Sequence, residues 1–373
     1  MAAAELEVVS GYIVAYRLFD VAHAIDLGRV EEVWARKGRS GISRGRLNTT
    51  PAKAVAFGVP PVDLGLDPVP LNLGDISVQA TVTARLYDFG VVTIALRVPA
   101  TGLSWSAFTS RVNTVDNSIG LETSNPLWAR LLERVRRGVD DALVRPTPST
   151  LEEDYLIGVA NAFSEDLTAE ALDSRIDLVP LLSGEQRPLS EPARRDLLQH
   201  RYSYYTDDLV ALSWDRAFIY EPRGDSDVID ILEVANAQLL EMRYYDELLD
   251  DELPRMYDLV AKARRTRTLL ASKRFADLAR RLHTLVAEVT ELTERVDNAL
   301  QVTEDVYLAR IYAAALELYR VPTVSVAVDR KLSIIRDTYS ALYDESSASR
   351  TELMELLIII LIVAEIVIAL VRP

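Results

Sequence analysis

Residues Ile76–Val98 read ISVQATVTARLYDFGVVTIALRV, two apolar, strand-like runs joined by Tyr87-Asp88-Phe89-Gly90. Asp88 and Gly90 suit the turn, one through local side-chain hydrogen bonding and the other by tolerating positive φ. The spacing predicts a β-hairpin, Ile76–Leu86 with Val91–Val98. Asp88-Phe89-Gly90 also spells the magnesium-binding triplet of protein kinases. The catalytic loop and Gly-rich fingerprint that must accompany it are missing, so the triplet is a turn.

Upstream of the hairpin, Gly11–Phe19 reads as a strand, Asp26–Arg36 as a short helix and Ala52–Val59 as another strand. A Pro/Gly-rich stretch runs from Pro60 to Gly74 and is assigned no strand or helix. Downstream, a helical pattern covers Ser104–Val115. A second segment repeats this order. Tyr155–Phe163 is read as a strand, Thr168–Arg175 as a helix and Asp177–Leu182 as a strand. A hairpin then joins Arg201–Tyr205 to Leu209–Tyr220 around Thr206-Asp207-Asp208. Asp88, Val91 and Arg97 share the spacing of Asp207, Val210 and Arg216, which points to an internal duplication. Arg145–Thr150 (RPTPST) separates the halves, its prolines interrupting regular structure.

The remainder is helical. Val228, Ile231, Leu232, Ala235, Leu239, Met242 and Leu249 recur at helical spacing, with Asp225 or Ser226 as the cap. Pro254 marks a break. Arg255–Asn298 is a long amphipathic pattern suited to coiled-coil packing. Further helices are expected at Asp305–Tyr319 and from Thr323 to about Asp344, with DESSASR as a loop. Leu356–Val371 (LLIIILIVAEIVIALV) is aliphatic apart from Glu365. At 1.5 Å per residue it reaches about 24 Å, against a bilayer core of about 30 Å.

The expected architecture is therefore α+β. An N-terminal unit spans 1–144, a linker 145–150, a second related unit 151–250, a helical hairpin or stalk 251–350, and a transmembrane anchor 353–371. The 373 residues carry a formal charge of −15, which argues against general nucleic-acid binding. Cysteine is absent, which excludes disulfides, thiolate metal sites and a catalytic thiol. MAAAELEVVSGYIVAY lacks the basic region of a secretory signal. With the anchor at the other end, the body is expected in the cytoplasm and membrane lipid is a partner. No cofactor or metal is expected. The histidines His23, His200 and His283 lie far apart in sequence, and none has a neighbour at metal-ligand spacing.

Candidate sites are sparse. Arg36–Arg46 (RKGRSGISRGR) is a dense basic, glycine-rich loop. Its Arg36, Lys37, Arg39, Arg44 and Arg46 are candidates for an anion, in a loop that lacks the terminal Gly-Lys-Ser/Thr of a Walker motif. A second basic run, Lys262–Arg281, reads as a solvated helix face. Asp246, Glu247, Asp250, Asp251 and Glu252 form an acidic cluster without EF-hand spacing. Asn236, Arg243 and Asp250 recur every seven residues as a polar stripe beside the apolar face, suited to docking the long helix. Glu365 is expected at a contact between anchors, because a carboxylate in hydrocarbon usually pairs or faces a bundle interior.

Arg85-Leu86-Tyr87-Asp88-Phe89-Gly90-Val91-Val92, Leu239–Asp246 (LLEMRYYD), Leu300–Tyr307 (LQVTEDVY) and Glu355–Glu365 resemble, in order, segments of the "required for meiotic nuclear division" family. The resemblance implies a membrane-anchored, oligomeric protein, and its mitochondrial members help hold ribosomes at a membrane. From these readings the expected function is a membrane-anchored, non-enzymatic scaffold or tether, homo-oligomeric, with a ribosome or other protein as partner. The alternatives are an anion- or nucleotide-binding sensor, and an enzyme built on Asp207, Asp208 and Arg243.

Overall fold

The computed structural model describes residues 5–36, 41–44, 59–120, 125–147, 150–224, 227–264, 306–371 and scattered positions between 277 and 290. The chain forms two compact units, Met1–Tyr244 with Arg295–Pro322 and Tyr245–Glu294 with Thr323–Pro373.

The first unit is built on one sheet. Its strands are β1 (Glu7–Asp20), β3 (Ile42–Arg44), β4 (Val62–Leu73), β5 (Ile76–Leu86), β6 (Val91–Pro99), β7 (Leu103–Ser104), β9 (Glu152–Phe163), β10 (Arg201–Tyr202), β11 (Leu209–Leu212) and β12 (Arg216–Tyr220). They run in the order β10-β11-β12-β9-β1-β6-β5-β4-β3, with β7 on β1, while β2 (Ala22–Ile25) and β8 (Leu143–Pro146) make a separate ribbon. The β12–β9 pair is parallel, whereas β9–β1 and β1–β6 are antiparallel. The short helices are α1 (Leu27–Arg36), α2 (Trp105–Ile119), α3 (Leu127–Val139), α4 (Ala169–Arg175), α5 (Val179–Ser183) and α6 (Glu191–Leu197). The longer helical stretches are α7 (Val228–Arg264), α8 (Val306–Leu318) and α9 (Val321–Val371).

Period-two burial gives the sheet two apolar faces. Ile13, Ala15, Phe19, Ala84, Leu86, Ile94 and Leu96 join Phe108, Val112 and Val115 of α2 and Leu131 and Val135 of α3 in one hydrophobic cluster. Ser104 caps α2 by accepting from the Ala107 backbone amide at 3.3 Å. The other face carries Val14, Tyr16 and Leu18 and meets the first half of α7, whose Ile231, Leu232, Ala235 and Leu239 are buried. The Tyr87–Gly90 turn is tied to β2: Val21 donates to the Gly90 carbonyl and Ile25 to that of Asp88, at 3.1 and 3.0 Å.

Several sequence expectations need correcting. The Pro/Gly-rich stretch, assigned no element from the sequence, holds strand β4, Val62–Leu73, in register with β5 except for a shift between Leu66 and Val69. That irregularity takes up Asp67 and Pro68, and a bulge is where a strand tolerates proline. The expected strand Asp177–Leu182 instead holds most of helix α5, Val179–Ser183, with Pro180 in its first turn. A short apolar run does not distinguish strand from helix by periodicity. Leu209–Tyr220 is two strands, with Ser213–Asp215 as their turn. Val91 and Arg97 therefore share strand β6, whereas Val210 and Arg216 sit on different strands, so the matched spacing places no equivalent positions together. The expected linker begins inside β8, and the segments 1–144 and 151–250 share one sheet through β1 and β9. Helix α7 runs through Pro254, and α9 runs through the DESSASR segment. Ala52–Gly58, the caps Asp225 and Ser226, and most of the stretch Arg265–Asn298 lie outside the described residues.

In the second unit Tyr245, Leu249, Met256, Leu282, Val289, Val328, Leu332 and Ile335 are buried. Lys331 of α9 binds Asp246 and Asp250 of α7, its ammonium lying 2.6 and 2.7 Å from their carboxylates. Among the described residues no single helix is long and apolar enough to cross a membrane; Val306–Leu318 and Val321–Ala341 qualify by composition only when taken together. Of the aliphatic stretch in α9, the described side chains are Ile358–Val363. All six are exposed, by 50 to 59%.

Candidate functional site: a charged row beneath α7

The sheet register lines up one row of side chains on the face that meets α7. Ser43 of β3 pairs with Asp63 of β4, Asp63 with Arg85 of β5, and Arg85 with Thr93 of β6. The row continues through Leu18 of β1 to Glu153 of β9. These positions fall out of the buried alternation of their strands: Ala84 and Leu86 point to the opposite face, which leaves Arg85 on this one.

Arg85 is the centre of the row. Its Nε donates to Asp63 Oδ1 at 2.7 Å, and its Nη1 donates to Asp230 Oδ1 at 2.6 Å and to Glu233 Oε2 at 3.2 Å. Tyr87 donates its hydroxyl proton to Glu233 Oε1 at 2.7 Å. The Glu233 side chain is 6% exposed and Arg85 20%, so the cluster is largely withdrawn from water. Burial raises the Glu233 pKa, opposed mainly by the positive charge of Arg85. Burial acts to lower the Arg85 pKa, but Glu233, Asp230, Tyr87 and Asp63 outweigh it and the net shift is well upward. The Tyr87 phenol is pushed well above its ordinary range, first by burial and then by the Glu233 charge. Beside the cluster is a cavity of about 260 Å³ lined by Gly41, Ser43, Asp63, Gly65, Thr83, Arg85, Thr93, Ala95 and Glu233.

Two further polar contacts join α7 to the sheet. Asn236 donates to the Tyr16 hydroxyl of β1 at 3.3 Å, and Arg243 is salt-bridged to Glu153 of β9. Burial raises the Glu153 pKa, and Arg243 opposes the rise. The spacing is set by geometry. Ten helical residues from Glu233 to Arg243 rise about 15 Å, and the steps from β5 through β6 and β1 to β9 span about 14 Å. The helix thus lies across four strands with an anchor at β5, β1 and β9.

The expected site residues fall in separate places. Asn236 and Arg243 dock on the sheet, while Asp250 binds Lys331. Arg36 turns back on its own helix, donating to the Glu32 carbonyl at 3.3 Å and approaching the Glu32 carboxylate at 3.7 Å. Lys37, Arg39 and Arg46 and the side chains of Arg44 and Glu365 lie outside the described residues. Gly41 and Ser43 of that basic loop border a cavity that also holds Asp63 and Glu233, whose carboxylates repel an anion. Asp208 accepts from the Tyr204 amide at 2.7 Å and Arg243 is engaged by Glu153, so these two members of the expected set Asp207, Asp208 and Arg243 serve separate contacts. Asp246 and Asp250 hold an ammonium group, and among the described residues no group of acids and histidines is arranged to hold a metal. Sequence reasoning missed Arg85, Asp63 and Glu233. The one available signal was an arginine inside an otherwise uncharged strand run.

The fold and the charged row define an α+β domain in which a long helix is pinned across a mixed sheet. The chain belongs to the family described as "Uncharacterized protein MJ0711, N-terminal domain", whose model matches residues 10–227. It is 24% identical over 196 residues to "Uncharacterized protein MJ0711" of Methanocaldococcus jannaschii, a match covering 52% of this chain and 59% of that protein. No solved structure matches the chain. These matches overturn the resemblance to the "required for meiotic nuclear division" family: the stretch containing Arg85–Val92 belongs to a different family. Short hairpin and aliphatic motifs recur in many folds because turn and membrane chemistry demand them.

Proposed function

We propose that this protein is a membrane-anchored scaffold, with the sheet unit as its working surface and the aliphatic part of α9 as its anchor. The observation that carries the reading is Ile358–Val363. Six consecutive helical side chains turn through more than a full circle, and all are at least half exposed. A helix that shows apolar groups to solvent on every side is unstable in water and suited to lipid. Leu356, Leu357 and Ile366–Val371 extend the aliphatic composition around it.

Glu365 interrupts the stretch, and a carboxyl at that depth is accommodated by facing another helix. A second copy of the same helix supplies one, so the anchor is assigned to a homo-oligomer. The body is assigned to the cytoplasmic side. The charged row supports a structural role for the sheet, since Arg85, Asp63, Asp230 and Glu233 are engaged with one another in fixing α7.

The reading is tested by expressing the full chain with Ile359→Lys and Ile362→Lys, beside the unaltered protein, and separating membranes from soluble material. The scaffold account expects the unaltered protein in the membrane fraction, resistant to alkaline carbonate, and the doubly substituted protein largely released.

A further inference from the structure

In a chain of formal charge −15, three arginines line one cavity of about 320 Å³. Arg175 comes from the end of α4, Arg194 from α6 and Arg201 from β10, and Ser174, Asp177 and Leu178 contribute to the wall between them.

Arg175 is held by a carboxylate beyond the cavity lining and Arg194 by one within it. Arg175 makes a two-pronged contact to Glu165, Nη1 to Oε2 at 2.9 Å and Nη2 to Oε1 at 3.1 Å. Arg194 does the same to Asp177, both contacts at 3.2 Å. Asp177 is itself fixed: its Oδ1 accepts from the Val179 amide at 3.0 Å, and its carbonyl accepts from the Trp105 indole at 3.2 Å. It serves as a pivot that orients Arg194 and sets the cavity wall. Glu165 is different, because its side chain is 51% exposed and can yield Arg175 to a competing anion. A guanidinium presents five donors, so one carboxylate leaves N–H groups for a second acceptor. Leu178 gives the wall an apolar part, and the volume exceeds that of one phosphate ion.

We propose that this cavity binds a phosphate monoester, with Arg175, Arg194 and Arg201 receiving the phosphate and the apolar wall receiving the first carbons of its ester. The phosphate belongs either to a soluble metabolite or to a phospholipid headgroup. Glu165 competes with it for Arg175.

The test is isothermal titration of the full chain in non-ionic detergent with glycerol 3-phosphate and, separately, dihexanoyl phosphatidic acid. Arg201→Gln is expected to weaken binding about tenfold, and Glu165→Gln to strengthen it several-fold by freeing Arg175. Circular dichroism confirms that both variants are folded. Binding of both probes with this pattern supports a soluble phosphate ester. Binding of the lipid alone with this pattern supports a headgroup. No binding of either probe, or binding that Arg201→Gln and Glu165→Gln leave unchanged, overturns the proposal.

Discussion

Arg85 of β5 and Glu233 of α7 are 148 residues apart in sequence and 3.2 Å apart in space. The same guanidinium holds Asp63 from the neighbouring strand and Asp230 from the preceding helical turn. One side chain thereby fixes the start of a helix against two strands. Truncating it leaves Glu233 buried without its counter-charge. Arg85→Ala is expected to destabilise the fold by roughly 3–5 kcal/mol, the cost typical of breaking a buried ion pair from one side. Urea unfolding followed by circular dichroism measures it. A loss within about 0.5 kcal/mol, the range of ordinary surface substitutions, contradicts the clamp.

The same cluster sets a pH dependence. Glu233 titrates above its ordinary 4.5 in the folded protein because it is buried. Between 4.5 and the raised value the folded state binds the proton that the unfolded state has lost. Stability therefore falls as pH rises from about 4.5 through the raised pKa. Glu153 and Asp215, also raised by burial, add slope of the same sign. The urea midpoint should fall over this window, and Glu233→Gln should fall less steeply. An identical slope in the two proteins removes Glu233 as the source.

Gly90 has φ of 101°, and a Cβ there would lie 1.8 Å from the Ala22 carbonyl oxygen. The hairpin turn and the β2 ribbon are too close for any side chain. Gly90→Ala combines a strained left-handed backbone with a backbone clash, and a destabilisation above about 2 kcal/mol is expected. Thermal unfolding reads it. Gly74, with φ of 65° and an open environment, is the control: Gly74→Ala carries only the backbone term.

Tyr155 ties β9 to the β11–β12 turn. Its hydroxyl lies 2.9 Å from the Ser213 carbonyl and 2.8 Å from that of Arg216. Tyr155→Phe keeps the packing against Tyr16 and Tyr319 and removes the donor. The expected cost is about 1 kcal/mol, readable as a shift in urea midpoint without a change in slope.

The hairpin, strands β1 and β9, and helices α1, α2, α4 and α8 were legible in the sequence because each has its own turn, cap or period. Strand β4 was not, since Pro68 and Pro70 read as breakers. The strand accommodates them: Pro68 falls in the register shift, and Pro70 lies opposite Gln79 of β5. The charged row was hidden for another reason. Asp63, Arg85 and Glu233 meet only through strand register and the crossing of α7, and neither is written in local spacing. Asn236 and Arg243 could be read as a stripe because the helical period alone places them. Their partners Tyr16 and Glu153 could not.

The most direct test of the account is where the full chain goes after cell lysis. Membranes are collected by ultracentrifugation and washed with alkaline carbonate, and the protein is followed in both fractions, with the Ile359→Lys and Ile362→Lys double variant alongside. Retention of the unaltered chain in the washed pellet, and release of the variant, is the predicted result. Recovery of the unaltered chain in the supernatant as a folded species contradicts the anchor and the scaffold built on it.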